Sequence, residues 1–212
     1  SAGRRPASGR RTEGGQRRPN GGAQDGRERP APVLAPRATV RDPVERVERE
    51  ALGIYLQLPG LAGPAQMDEL PSQTFTVPVH RRVHEAIRAA GGAASYDKRV
   101  AELSAKGVPL EKAEEAAAGW YVERVIENAD DVVGRAVAQL AVETLPESRP
   151  DRVERYVWGI AVSLIRQGIT RQIGDLRSRL QRTPPDDPQY SALFSRLIEL
   201  EEQRRACDAQ IE

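Results

Sequence analysis

The sequence predicts an all-α protein, and three observations carry this prediction. Residues that favour helices, chiefly Ala, Leu, Arg, Glu and Gln, dominate the composition, whereas aromatic residues make up only 4%. Apolar residues recur at spacings of three and four through much of the chain after residue 42. No stretch alternates apolar and polar residues between turn signals, as a half-buried strand does. We therefore expect packed helices whose core holds few aromatic side chains.

The first 41 residues are predicted to be a disordered basic linker. They carry ten arginines against three acidic residues, together with seven glycines and five prolines. Such a segment has too few large apolar residues to offset the entropy of ordering it. Its arginines suit either a solvated spacer or weak, non-specific nucleic-acid binding, and the lack of interleaved aromatic residues favours the spacer. We also expect the chain, which starts without Met, to be part of a longer protein.

A helical-bundle subdomain is predicted over residues 42–165. Its first helix has Asp42 as a good N-cap and Pro43 at the first helical position, and Pro59 stops it. Thr76 is a possible cap for the second helix, and Trp120 and Trp158 are expected in the core. Helices are predicted at 44–58, 77–90, 110–127 and 130–144, with 93–108 irregular or weakly helical.

A longer helix is predicted from about 151 to 182, and its character changes halfway. Residues 156–165 are apolar nearly all round, which is typical of a helix buried in a bundle. Beyond them, apolar residues at spacings of 4, 3 and 4 from Ile169 to Leu180 form a narrow seam. Gln167 and Gly168 lie at the change, and we predict a hinge there because an interior glycine weakens a helix.

The last 47 residues, 166–212, are predicted to form an antiparallel helical hairpin. The proline-rich turn TPPDDP separates the seam from a second helix at 187–211 with matching apolar spacing. A two-helix hairpin buries too little apolar area to be a comfortable folding unit alone. We therefore expect it to dock on its own bundle or on another protein.

Three stretches resemble the C-terminal domain of bacterial DnaG-type primase, and the Arg- and Ala-rich usage looks actinobacterial. They are RDPVERVEREALGIYLQLPGL, LAVETLPESRPDRVERYVWGIAVSLIRQGITRQIGDLRSRLQR and DPQYSALFSRLIELEEQRR. The resemblance implies a helical bundle joined by a long helix to a terminal hairpin. It also implies docking on the N-terminal domain of the DnaB-type replicative helicase. The zinc- and magnesium-dependent primer synthesis of such primases belongs to upstream domains, so we expect no catalytic residue, metal or cofactor in this chain.

Candidate docking residues follow from the hairpin's pattern. Phe194, Ile198 and Glu201 share one stripe of the last helix, while Leu193, Leu197 and Leu200 share another, and we favour the first as the outward one. The candidate helicase-binding residues are Arg182, Tyr190, Phe194, Leu197, Ile198, Glu201, Arg204 and Arg205. The resemblance also implies a second partner, the acidic C-terminal tail of single-stranded-DNA-binding protein, for which Arg81, Arg82 and Arg88 are candidates by charge.

Other chemical motifs have plainer explanations. His80 and His84 have a spacing that can hold a metal, but the zinc-protease pattern needs a Glu directly after the first His, whereas Glu85 follows the second. We therefore favour an ordinary polar helix face. The pairs Asp130-Asp131 and Asp186-Asp187 each begin a helix and fit capping better than magnesium binding. Cys207 is expected in the hairpin seam. No nucleophile and base can be assembled, so an enzyme is the least favoured reading.

Two further functions compete with helicase docking. The main alternative is a structural protein that self-associates through the 169–211 seam, and nucleic-acid binding by the linker comes third. No apolar run is long enough to cross a membrane and no secretory signal is seen, so we expect a cytoplasmic, replisome-associated protein.

Overall fold

The computed structural model describes residues 42–211, and every regular element in that range is helical. The all-α prediction is therefore confirmed. The helices are α1 (Pro43–Gln57), α2 (Pro59–Ala62), α3 (Pro78–Ala89), α4 (Gly92–Ala105), α5 (Leu110–Glu127), α6 (Asp131–Val142), α7 (Val153–Leu180) and α8 (Pro188–Ile211). Two short 3-10 turns, Met67–Glu69 and Ser72–Thr74, lie between α2 and α3.

Local capping explains where several helices begin. The Asp42 carboxylate accepts a hydrogen bond from the backbone N–H of Val44 at 2.8 Å, which caps α1 ahead of Pro43. Asp130 caps α6 in the same way, accepting from Val132 and Val133. Both caps satisfy N–H groups that have no partner inside the helix. The capping prediction for these two aspartates is thus confirmed.

Residues 93–108 were expected to be irregular or weakly helical, and that expectation is wrong for most of them. They lie largely in α4, a helix of 14 residues. Its first turn is capped from a distance, because the Asp68 carboxylate accepts from the N–H groups of Ala93 (2.9 Å) and Ala94 (3.2 Å). Gly91 precedes the helix with a φ of +100°, a conformation that favours glycine.

The bundle core is built from α1, the segment that follows it, and the inward faces of α3, α5, α6 and the first half of α7. Its largest fully buried apolar residues include Tyr55, Tyr121, Phe75, Leu52 and Leu164. Trp120 is half-buried against this core. Trp158, however, is 42% exposed, so its expected place in the core is wrong. The apolar run around it includes positions on the outer side of α7.

Helix α7 joins two apolar clusters. Its first half contributes Val157, Ala161 and Leu164 to the bundle core, and its second half packs against α8 around a separate cluster. Ile165 packs against both. The two clusters therefore meet near Ile165. The division into a bundle subdomain over 42–165 and a hairpin over 166–212 stays a prediction.

The predicted disordered linker, residues 1–41, lies outside the described residues. Among the helices between residues 42 and 211, none is both long and apolar enough to cross a membrane.

Candidate functional site

The hairpin seam fixes which face of α8 points outward. Five side chains are at least nine-tenths buried between α7 and α8, with half-buried Leu180, Leu197 and Cys207 packed at their edge. These five are Ile169, Ile173, Leu176, Leu193 and Leu200. Burial raises the pKa of the Cys207 thiol, which suits its predicted role as a seam residue.

Among the α8 side chains that the structure describes, two large apolar ones are exposed outside the seam. Phe194 is 49% exposed and Ile198 is 44% exposed, and they lie one turn apart on α8. Leucines at 193 and 200 occupy the opposite, buried stripe. The structure thus brings Phe194 and Ile198 together on one surface and places Leu197, also a candidate contact, in the seam edge instead.

Charged candidates on the hairpin divide into paired and exposed groups. Glu201 is half-buried and accepts hydrogen bonds from Arg177 of α7 at 2.6 Å and from Arg204 at 2.7 Å. Its carboxylate therefore bridges the two helices. Arg205 is exposed on α8, and Arg182 is exposed just beyond the end of α7. Tyr190 is half-buried in the first turn of α8, beside the hairpin tip.

The predicted hinge lies inside an unbroken helix and touches the bundle. A Cβ placed on Gly168 would lie 3.7 Å from Cγ2 of Thr74, which is ordinary van der Waals contact. Arg171, one turn along α7, donates a hydrogen bond to the carbonyl of Thr74. The hairpin half of α7 is therefore held against the 3-10 turn Ser72–Thr74 at this point. Bending at Gln167 and Gly168 stays a prediction.

The segment that receives α7 is itself held by a buried carboxylate. Glu48 of α1 has no exposed surface, and it accepts from the N–H and hydroxyl of Thr76, both at 2.6 Å. It also accepts from the N–H of Val77 at 3.1 Å and lies 3.0 Å from Nδ1 of His80. Because α3 has no side-chain cap of its own, Glu48 satisfies the start of that helix.

Burial and hydrogen bonding act in opposite directions on Glu48. Burial alone would raise its pKa, and the hydrogen bonds from His80, Thr76 and Val77 together outweigh it, so the pKa lies below the usual value. Thr76, expected as a possible cap for α3, instead donates to this carboxylate. The sequence itself indicates that Glu48 is buried, because this residue lies between Val44 and Leu52, at spacings of four, on the apolar face of α1.

His80 and His84 were expected on a polar helix face, and the structure corrects this. His80 is 4% exposed and His84 has no exposed surface. They serve different partners, since His80 pairs with Glu48 while His84 lies 3.1 Å from the Ser72 hydroxyl. Burial, aided by the charge of Arg88, lowers the pKa of His84 to about 4, so it is neutral at pH 7. Within residues 42–211, no three His, Cys, Asp or Glu side chains are grouped to hold a metal ion.

The three bundle arginines named for an acidic tail each have an intramolecular partner. Arg81 donates two hydrogen bonds to the Phe75 carbonyl, at 3.1 and 3.0 Å. Arg82 pairs with Asp130, and Arg88 donates to the backbone carbonyls of Asp68 and Leu70. The structure therefore assigns all three a role in holding loops to helices.

Comparison with known proteins places the chain in one family. Residues 48–193 match the family model described as DNA primase DnaG DnaB-binding. A DNA primase of Mycolicibacterium smegmatis is 32% identical over 195 residues, covering 91% of this chain and 28% of that protein. A DNA primase of Streptomyces coelicolor is 34% identical over 174 residues, covering 79% and 24%. The chain thus spans about a quarter of the length of these curated relatives.

A solved structure agrees in fold as well as in sequence. The helicase binding domain of primase from Mycobacterium tuberculosis superposes with a TM-score of 0.56 at 30% identity, covering 78% of this chain and 92% of that one. The predicted resemblance to an actinobacterial DnaG-type primase is confirmed. The chain belongs to the DnaB-binding family of DnaG-type DNA primase domains.

Proposed function

We propose that this chain docks its parent primase on the DnaB-type replicative helicase through the outward face of α8. The observation that carries the proposal is the pair Phe194 and Ile198, each more than two-fifths exposed on a helix whose leucines at 193, 197 and 200 pack in or against the seam. Membership of the DnaB-binding family and similarity to a structure named as a helicase binding domain both support it.

The chemistry of this face suits a protein partner. Large apolar side chains at the centre of an interface supply most of its binding energy, and a charged rim supplies orientation. Phe194 and Ile198 form the apolar centre, while Glu202 and Arg205 lie exposed further along α8. A helix or helical hairpin of the helicase's N-terminal domain, with a complementary apolar groove, would fit this arrangement.

The docked chain acts as a tether. It holds the catalytic part of the primase close to the template strand, which raises the effective concentration of the enzyme there without contributing to the chemistry. Primer synthesis, with its zinc and magnesium, belongs in this proposal to other domains of the parent protein. Individually modest contacts are enough, because a tether needs to raise local concentration and not to bind permanently.

Self-association through the seam is less well supported. Its apolar residues are already paired between α7 and α8 of one chain, so this surface is not free. Binding of the acidic tail of single-stranded-DNA-binding protein by Arg81, Arg82 and Arg88 stays a prediction. So does weak nucleic-acid binding by the linker.

Nuclear magnetic resonance of the methyl-labelled chain, titrated with the helicase's N-terminal domain, tests the docking face. We expect the Ile198 methyl resonances to shift or broaden on complex formation. Val142, an 83% exposed residue on the bundle helix α6, is the matched control and its resonances should stay in place. Perturbation of Val142 and the bundle, with Ile198 unchanged, would move the docking site off the hairpin.

A further inference from the structure

Where the bundle meets the hairpin, an open cleft of about 640 Å³ lies between the start of α1, the middle of α7 and the last part of α8. Asp42 and Val44 line it on the bundle side, and Arg204 and Asp208 line it on the hairpin side. Close-packed side chains resist the relative movement of two elements, whereas open space between them leaves room for it. The cleft therefore permits the hairpin to approach or leave α1, unless another contact holds it in place.

A contact that holds the hairpin is made by Arg171 of α7. Its guanidinium donates a hydrogen bond to the backbone carbonyl of Thr74, in the 3-10 turn Ser72–Thr74 of the bundle. Gly168, one turn earlier, lies so close to the same threonine that an added Cβ would be 3.7 Å from its Cγ2. Arg171 makes no salt bridge with any carboxylate of residues 42–211. Because its acceptor is a neutral carbonyl, this contact is weaker than pairing with a carboxylate and can be released.

The carbonyl of Thr74 is held in place from both sides along the chain. Thr74 is buried, and the turn that contains it is fastened to α3 through Ser72, whose hydroxyl lies 3.1 Å from Nδ1 of the buried His84. After the turn, Thr76 donates to the buried carboxylate of Glu48 in α1. Since the acceptor is fixed to two bundle helices, a movement of the hairpin relative to the bundle breaks the hydrogen bond.

Helix α7 is intrinsically weak in the stretch that joins bundle and hairpin. Two interior glycines, Gly168 and Gly174, lie three residues to either side of Arg171. Interior glycines weaken a helix because no side chain restricts their backbone. A Cβ placed on Gly174 would meet no described atom within 4 Å, so close packing does not account for that glycine. The orientation of the hairpin therefore depends on a contact outside the helix backbone.

We propose that Arg171 is a releasable latch that fixes the orientation of the hairpin on the bundle. While the guanidinium holds the Thr74 carbonyl, α7 stays unbroken and the cleft stays open. When the hydrogen bond is lost, α7 bends near Gln167 and Gly168, and the hairpin swings relative to the start of α1. The latch does not rest on helicase docking, because it sets the direction in which α8 is presented to any partner.

Residual dipolar couplings of the nitrogen-15-labelled chain of 212 residues test the latch without any helicase. Amides of one rigid body share a single alignment tensor, whereas a segment that moves independently shows weaker alignment. In the parent chain we expect the amides of the bundle helices and of α8 to share one tensor. In R171M, which keeps an unbranched side chain but removes the donor, alignment of the α8 amides should fall by about a third, with the bundle unchanged.

Two further variants make this test specific. R179M, at an exposed α7 arginine outside the cleft, is the matched control and should behave like the parent. Adding G168A to R171M stiffens α7 at the proposed bend, and its Cβ makes only ordinary contact with Thr74, so alignment of the α8 amides should recover. Circular dichroism checks that all variants keep their helices.

Three results would overturn the latch. They are separate tensors for the bundle and α8 in the parent chain, a single shared tensor in R171M, and an equal loss of alignment in R171M and R179M. Failure of G168A to restore alignment in the R171M background would overturn the placement of the bend near Gly168.

Discussion

At the residue scale, Glu48 shows how one buried charge organises the bundle. It is surrounded by donors from Thr76, Val77 and His80, all on the segment that begins α3. That segment continues from Thr74, on which the hairpin half of α7 rests through Gly168 and Arg171. Removing a buried charge from its partners is costly because those partners are left unsatisfied in a water-poor site.

Replacing Glu48 by Ala should lower the free energy of unfolding by about 3–5 kcal/mol at pH 7. Urea denaturation followed by circular dichroism measures this, and Glu45→Ala, in the first turn of the same helix, is the matched control with an expected loss of no more than about 1 kcal/mol.

Because the folded pKa of Glu48 is lowered, its contribution to stability is fully present above the unfolded value of 4.5 and is lost as pH falls through the folded value. The difference between parent and Glu48→Gln should therefore shrink below about pH 4. A constant difference down to pH 2 would contradict the assignment.

At the element scale, the stability of the hairpin depends on the residues buried in its seam and not on the exposed residues of its outward face. Leu200 is 2% exposed and Phe194, six residues earlier, is 49% exposed. The spacing of apolar residues predicts both stripes, because three- and four-residue steps place them on different sides of α8.

Leu200→Ala should destabilise the hairpin by about 2–5 kcal/mol, since it leaves a cavity between α7 and α8. Phe194→Ala should change stability by no more than about 0.5 kcal/mol, because an exposed ring loses little buried area. Hydrogen exchange of the α8 amides separates the two, with fast exchange expected for the leucine variant alone. Equal protection of α8 in both variants would place Leu200 outside the seam.

The starts of helices could be predicted where the capping residue and the apolar spacing are local in the sequence. The prediction failed where the capping residue lies far away in the sequence. Asp42, Pro43 and Asp130 mark the starts of α1 and α6 in the sequence itself. The cap of α4 comes from Asp68, 25 residues before Ala93, and few of the α4 side chains are buried, so neither capping nor apolar periodicity announced that helix. The burial of His84 likewise depends on packing against Phe75, with ring centroids 4.7 Å apart.

At the scale of the whole molecule, residues 42–211 form a helical bundle and a two-helix hairpin that share α7. The bundle has a continuous apolar core, whereas the hairpin has a single seam and leaves Phe194 and Ile198 uncovered. In the proposed tether, the bundle would supply stability and the outward face of α8 would supply the docking surface. The spacing of apolar residues in α8 predicted the candidate face. The sequence did not predict the salt bridges of Glu201 with Arg177 and Arg204, because the pair with Arg177 depends on the register between α7 and α8.

The affinity of the helicase's N-terminal domain for the Phe194→Ala/Ile198→Ala double variant tests this account most directly. Calorimetry should show binding weakened by about 30-fold or more, as expected when residues at the centre of an interface lose about 2 kcal/mol or more. The Val142→Ala variant, which removes an exposed apolar group from the bundle, should bind like the parent chain. Unchanged affinity in the double variant, with its helices intact, would contradict docking through the outward face of α8.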